Sequence, residues 1–318
     1  MRHLYLLLAI CSGCGGAPRT AQPASGDLDA PPAPARGYQV AFGPFNVAEG
    51  QEVQLCRTLK LPNDVPVAVD RLELTMKAGS HHFIIFRSEM DYPDQVFPCW
   101  GTVNFDEWDF VMDVNRTGGY DWRLKDGQAM IFKPHQQIMV QSHYVNAKTV
   151  RSNGGMAYLN LYETARPVVH PLHGMFTVNT RIHIPPQSKY TTSKKCTPSR
   201  DVRIVAMTGH FHARGTLFTV DTMANGDQFG PDELIAPIYY SDSWDAPVFQ
   251  IYDPPQLVDG GIHALSFRCS YDNPTDTTIG FGGHADVQEH CNLFFQYYED
   301  VEPSYGNPLR CVEGSGGW

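Results

Sequence analysis

The chain has 318 residues, with 24 Pro, 28 Gly, 12% aromatic residues and a formal net charge of −10. That length accommodates two domains with sizeable cores, and the Pro, Gly and aromatic content favours many short strands over long helices. The negative charge counts against nucleic acid or an anionic membrane surface as partner and leaves a small molecule as the expected ligand, with no protein partner inferred.

Residues 1–14 open with Arg2, continue with an apolar run from Leu4 to Ile10 and end in small residues, the pattern of a signal peptide of lipoprotein type. The run is too short to span a bilayer. Both Cys11 and Cys14 stand where a lipidated cysteine belongs, so a lipid anchor to a membrane is expected, with ordinary secretion as the alternative. Residues 15–37, rich in Pro, Ala and Gly, read as a flexible linker. The expected location is outside the cytosol: secreted, or in the cell envelope as a bacterial lipoprotein facing the periplasm or the exterior.

Beyond the linker, strand patterns follow one another at 71–76, 82–86, 138–145, 156–162, 203–208, 215–222 and 291–298, with Asn-Gly turns at 153–154 and 225–226. Strands at this spacing build an all-β fold of sandwich, jelly-roll or barrel type. The break at Ile184-Pro185-Pro186 places a junction nearby, dividing the chain into 38–180 and 181–318, each with its own set of histidines. Six cysteines remain after the signal: Cys56, Cys99, Cys196, Cys269, Cys291 and Cys311. An even number in an exported chain reads as disulfides rather than thiolate ligands, although six cysteines allow about 15 pairings. Asn115-Arg116-Thr117 matches a glycan acceptor sequon, which has no meaning in a bacterial lipoprotein.

The chemistry is carried by histidine. In TGHFHARG, His210 and His212 are two apart, so on a strand both rings face one side and can meet one copper or zinc ion. His81 and His82 in GSHHFIIF are adjacent and ordinarily point to opposite faces; joint ligation requires a bulge or twist, which Gly79-Ser80 can supply. His143, in MVQSHYVN, is either a half-buried strand histidine or a third imidazole for that first site, and His290, between Glu289 and Cys291, is equally open. His135, His170, His173, His183 and His263 show no convergent spacing and read as structural or exposed.

Taken in order, LCRTLKLP, the His pair of GSHHFIIF, VQSHY, GMFTVNTRIHIPP, HFHARG, FRCSYDN and QEHCNLFFQYY span roughly Gln51 to Cys311. Over this stretch the chain resembles the copper type II, ascorbate-dependent monooxygenases, the group of peptidylglycine α-hydroxylating monooxygenase and dopamine β-monooxygenase. The resemblance implies two tandem jelly-roll-like β-sandwich domains, two copper ions, and ascorbate or a similar reductant as co-substrate. It assigns His81, His82 and His143 to an electron-transfer copper and His210, His212 and His290 to an oxygen-activating copper. In the family this second copper takes two histidines and a methionine; here the methionine position falls on His290, a departure that exchanges a soft thioether for a stronger imidazole donor. His284 and Met207 are close enough in sequence to be considered as substitutes. The family pattern also implies the disulfides Cys196-Cys311 and Cys269-Cys291, and leaves Cys56 and Cys99 to pair with each other or stay free.

The expected substrate site departs from the family as well. A peptidylglycine enzyme would carry an arginine before the HxH pair and an asparagine and tyrosine after the methionine. Here Thr208 stands for the arginine, Asn292 is retained as a substrate-binding candidate, and Phe294 stands for the tyrosine. Without a guanidinium fork there is no bidentate carboxylate clamp, so α-amidation is not expected. The leading expectation is a copper-dependent monooxygenase that hydroxylates an activated C–H bond of a small substrate with O2 and a one-electron reductant. The alternatives are a copper-binding or electron-transfer protein that has lost oxygen activation, and a zinc hydrolase built on three-histidine sites.

Overall fold

Hydrophobic patterning separates two kinds of strand. In Val67–Met76, buried Val67, Val69, Leu72, Leu74 and Met76 are interleaved with half-buried residues, as in a strand with one face against a core. In Ser80–Ser88 every residue except Arg87 is buried, the signature of a strand covered on both faces. The second kind carries the histidines, and what covers its outer face decides where they lie.

The structure is a computed structural model that describes residues 29–77, 79–99, 107–115, 118–146, 153–226, 233–301 and 309–312. The expected signal peptide with Cys11 and Cys14 lies outside the described residues. Those residues are all-β: none is helical, and no helix among them is long and apolar enough to cross a membrane. A nine-stranded sheet runs through both halves in the order Gly37–Val47, Asn153–Glu163, Val67–Met76, Gln128–Phe132, His170–Val178, Asn292–Tyr298, Val202–His210 and Gln250–Val258, with Tyr120–Arg123 paired to Val67–Met76. Strand His170–Val178 joins the halves, pairing along six residues with Asn292–Tyr298 and along three with Gln128–Phe132.

Two five-stranded sheets complete the layers. The first, in the order Gln95–Pro98, Glu52–Lys60, Gln137–Val145, Ser80–Ser88 and Asp109–Val114, packs Phe83, Ile85, Ile138 and Val140 against Val69, Leu72, Leu74 and Leu159 of the long sheet. The second, in the order Leu234–Ser241, Gly215–Met223, Ala264–Asn273, Ser188–Pro198 and Cys311–Val312, packs Phe218, Val220 and Phe267 against Met207, Leu293 and Phe295.

A third cluster lies between the halves. Ile84, Phe86, Phe110 and Met139, on the outer face of the first five-stranded sheet, meet Phe294 and Phe176 of the long sheet. This contact covers the second face of Ser80–Ser88. Period-two alternation then places His82 with Ile84 and Phe86, and His143 with Met139, on the face turned to the other half. Gln296 Nε2 donates to the Val111 carbonyl at 3.1 Å across the same seam. At Gly174 the two backbones approach so closely that a Cβ would stand 2.1 Å from the Phe110 carbonyl oxygen.

Gly174→Ala is therefore expected to force the joining strand away from the first five-stranded sheet, lowering stability by about 1–3 kcal/mol, as overpacking of a close contact does. Urea denaturation of the variant checks this, and an unchanged midpoint would mean that the seam is looser than described.

Candidate metal centre

The register of Ser80–Ser88 on Gln137–Val145 slips between Ser80 and His82, next to Gly79, whose φ of 95° suits glycine. This bulge leaves His81 with no residue opposite it, while His82 stands opposite His143. The adjacent rings can then share one side: His81 and His82 are 5.3 Å apart between ring centres, and His143 lies 5.1 and 5.0 Å from them.

The second half presents its imidazoles across the seam. His210 ends Val202–His210 on the face opposite Met207, which is buried in the second-half core, where its sulfur accepts a hydrogen bond from Tyr252. His212 follows in a turn held by Glu289, whose carboxylate accepts from the backbone N–H groups of His212 and Arg214 at 2.8 and 2.9 Å. His290 precedes Cys291, which is bonded to Cys269, and the His290 carbonyl accepts from Tyr271 Oη at 2.7 Å. Ring centres are 5.3 Å apart for His210 and His212, 5.5 Å for His210 and His290, and 4.4 Å for His212 and His290.

Rings assigned above to different coppers also adjoin. His81 is 5.2 Å from His210 and 5.6 Å from His212, and His82 is 5.2 Å from His210. One nitrogen each from His81, His210 and His212 fall within 4.8 Å of one another. The six imidazoles thus form one contiguous group, because the two histidine-bearing faces are apposed by the same contact that buries Phe294. Trp244 closes over His81 at 5.3 Å. His284 lies outside this group, with Nδ1 3.6 Å from Glu52, and the five histidines read as structural or exposed do not join it.

Hydrogen bonds fix which nitrogen each ring can offer. Asn115 Nδ2 donates to the Asp113 carboxyl, so Asn115 Oδ1 is the acceptor for His210 Nδ1–H at 2.9 Å, and the His210 lone pair is left on Nε2. His212 Nδ1–H donates to the Gln288 carbonyl at 3.0 Å, again leaving Nε2. His143 Nε2–H donates to Glu52 at 2.6 Å, which leaves Nδ1. His81 Nε2, His82 Nδ1, His210 Nε2, His212 Nε2 and His290 Nδ1 are buried with no hydrogen-bond partner. A ring held through one nitrogen, with the other buried and unbonded, is the arrangement of a metal-binding histidine, and a donor set made only of imidazoles suits copper or zinc. The residues present fit a metal.

Electrostatics keep those nitrogens unprotonated. Burial, and then the repulsion of neighbouring imidazoles, holds His81, His82, His210 and His290 well below the ordinary histidine value, and His212 is lowered to about 3. Burial raises Asp113 to about 8 and Glu289 to about 7. Burial also pushes Glu52 up, but the hydrogen bonds from His143 and Ala285 outweigh it and leave the carboxyl below its usual value. Asp113, Asn115, Glu52 and Glu289 are the site residues that sequence reasoning missed. Asn115, first met as part of a sequon, is buried against His210. Of the substrate-site candidates, Asn292 stands opposite His210 with its Oδ1 buried and unbonded, whereas Phe294 is packed among Phe110 and Phe176.

The expected disulfides Cys196-Cys311 and Cys269-Cys291 are present, and Cys56 is bonded to Cys99. The last of these ties Glu52–Lys60 to the end of Gln95–Pro98 in the histidine-bearing sheet.

The metal-free protein has a defined pH response. Each depressed imidazole contributes stability that is complete above the unfolded value of about 6.5 and is lost as pH falls toward its folded value. The raised carboxyls act oppositely, with stability complete below about 4 and lost as pH rises through about 7 to 8. Each such group shifts stability by about 1.4 kcal/mol per pH unit. Five imidazoles outweigh two carboxyls, so the urea midpoint of metal-free protein should peak near neutrality and fall between about pH 6.5 and pH 5. A midpoint that holds or rises over that interval would contradict the burial of these rings.

Comparison with known proteins bears on the second half. Residues 172–308 match the family model of the copper type II ascorbate-dependent monooxygenase, C-terminal domain. No curated protein matches the chain. Among solved structures, the major capsid protein P2 from Bacteriophage PM2 is similar at 9% identity and a TM-score of 0.36, covering 85% of this chain and 100% of that one. The N-terminal CBM22-1-CBM22-2 tandem domain from Paenibacillus barcinonensis Xyn10C is similar at 8% identity and a TM-score of 0.20, covering 80% of each chain. Likenesses this low have no bearing on function. The family match covers the strands and turns that carry His210, His212 and His290, so residues 172–308 are similar to the C-terminal domain of the copper type II, ascorbate-dependent monooxygenases.

Proposed function

We propose that the protein is a copper-dependent monooxygenase that hydroxylates an activated C–H bond of a small molecule, consuming O2 and two electrons from a one-electron reductant such as ascorbate. In balance, R–H, O2, two electrons and two protons give R–OH and water. The observation that carries the reading is the set of buried, unbonded imidazole nitrogens within a domain of this family. In this reading 38–180 and 181–318 are two copper-binding halves, with His81, His82 and His143 as one ligand set and His210, His212 and His290 as the other. When bound, copper would supply one-electron chemistry and the activation of oxygen.

The chain's own residues supply the rest. Glu52, Asn115 and the Gln288 carbonyl orient His143, His210 and His212. Glu289 holds the turn between the two second-half ligands and His290. The packed seam and Trp244 keep bulk water from the rings. Three disulfides and the family both suit an extracellular or secreted protein. Anchoring through a lipid on Cys11 or Cys14 is the finer part of the proposal.

A second reading, a copper-binding or electron-transfer protein without oxygen activation, is favoured by one residue. His290 stands where the family places methionine, and an imidazole there favours oxidised copper more than a thioether does. Metal analysis of protein purified without added metal, combined with His290→Met, separates the readings. The monooxygenase reading expects about two coppers per chain, in line with two ligand sets, and ascorbate-driven oxygen uptake by wild type. If uptake appears only in His290→Met, the electron-transfer reading holds. Copper loading unchanged in both His290→Met and His290→Ala would remove His290 from the coordination sphere.

Disulfide Cys269-Cys291 closes a loop of 22 residues immediately before the second-half strand that follows His290. Replacing both cysteines by alanine should lower stability by about 2–4 kcal/mol and weaken copper retention, both measurable by denaturation and dialysis. Equal copper retention would show that the strand positions His290 without the crosslink.

A further inference from the structure

A second group of metal-type donors lies outside the six imidazoles, where a turn of the second half meets the start of Glu52–Lys60. Glu52 Oε1 is already occupied: it accepts from His143 Nε2–H at 2.6 Å and from the Ala285 N–H at 2.7 Å. Its other oxygen, Oε2, faces His284 Nδ1 at 3.6 Å, too far for a hydrogen bond. His284 and Asp286 flank Ala285 in sequence, so the bond from Ala285 brings both side chains to the same carboxylate. One donor atom each from Glu52, His284 and Asp286 lie within 4.8 Å of one another. The turn has hydrogen bonds of its own. The His284 N–H donates to Gln288 Oε1 at 3.1 Å, the His284 carbonyl accepts from the Gln288 N–H at 2.8 Å, and the Asp286 carbonyl accepts from Arg214 Nη2 at 2.6 Å.

We infer that Glu52, His284 and Asp286 form a separate site for a divalent cation of the zinc type, a clip that ties the two halves together. The inference does not rest on the monooxygenase reading. One imidazole and two carboxylates are a donor set that zinc takes, and the imidazole disfavours calcium and magnesium, which prefer oxygen shells. The two carboxylates also match the charge of the ion. Ligands about 2.0–2.1 Å from a tetrahedral zinc stand about 3.3–3.4 Å apart. The 3.6 Å between His284 and Glu52 is close to that separation, and the exposed Asp286 carboxylate can close on the ion by rotating. Water can take the fourth position, since 46% of the His284 side chain is exposed. Because the ligands come from both halves, an ion there binds only the closed arrangement and stabilises it. The same carboxylate holds His143 through Oε1, so occupancy of the clip also restrains that ring.

Zinc chloride is the probe, titrated calorimetrically at about pH 7.5, since metal binding needs unprotonated ligands. The samples are the full chain, loaded with copper and freed of loose copper by dialysis, and its His284→Ala and Asp286→Ala variants. Neither residue belongs to the imidazole group and both side chains reach solvent, so the variants should keep the fold and their copper. Wild type is expected to take up about one zinc per chain beyond its copper, with no copper released. Each variant should bind that zinc at least about 100-fold more weakly, because loss of even an outer-shell partner typically costs about 10–100-fold. Zinc should also raise the urea midpoint of wild type and leave that of the variants unchanged. Zinc uptake matched by copper release would overturn the inference, as would equal zinc affinity in wild type and both variants. So would a wild type that takes up no zinc beyond its copper, which would leave Glu52 and His284 as an ordinary ion pair. If the chain holds no copper, the metal-free protein decides: each variant should bind one zinc fewer than wild type, a result that would sink the monooxygenase reading and leave the clip standing.

Discussion

Ring nitrogens that are buried and carry no hydrogen bond set the terms for this protein. Each such group costs about 1–3 kcal/mol when left unmet, and five are gathered in one place. A proton could satisfy one of them only by creating a buried charge beside other imidazoles, and the depressed proton affinities of His81, His82, His210, His212 and His290 reflect that penalty. A metal ion satisfies several lone pairs at once and requires the rings to be neutral. The surrounding hydrogen bonds agree with that use: Asp113 and Asn115 settle the tautomer of His210, the Gln288 carbonyl settles His212, and Glu52 settles His143.

The fold creates this situation by stacking two half-structures over one aromatic seam. Phe294 from the second half and Phe176 from the strand that joins the halves meet Phe110 and Phe86 from the first, and the histidine-bearing ends of the strands follow. Because the imidazoles come from both sides, a metal ion held by rings of both halves would be thermodynamically linked to their association: whatever binds the closed arrangement stabilises it. Glu52 adds a second tie, since the carboxylate that holds His143 also accepts the Ala285 N–H from the opposite half at 2.7 Å.

Much of this was legible in the chain, and the limits have physical causes. The two-residue spacing of His210 and His212 survives as shared placement at the end of a strand and its following turn. The adjacent pair His81 and His82 needed a bulge, and Gly79-Ser80 provides it. His143 and His290 could be assigned only through family resemblance, because a lone histidine in a strand has no periodic signal. The proximity of all six rings was not readable, since it depends on which sheet faces meet between distant segments. Asp113 and Asn115 were missed because an acid and an amide two apart look like ordinary strand polarity, and Glu52 because it touches His143 only through strand pairing across 91 residues. The pairing of Cys56 with Cys99 was open for the same reason: nothing in their spacing brings Gln95–Pro98 beside Glu52–Lys60.

X-ray absorption at the copper edge, on ascorbate-reduced, copper-loaded protein, addresses the central claim directly, because it reports the atoms bound to the metal. The account predicts a coordination shell made of nitrogen with the outer-shell scattering of imidazole and no sulfur contribution, since Met207 is turned into the core and every cysteine among the described residues is in a disulfide. A sulfur shell, or a shell of oxygen without imidazole scattering, would contradict it.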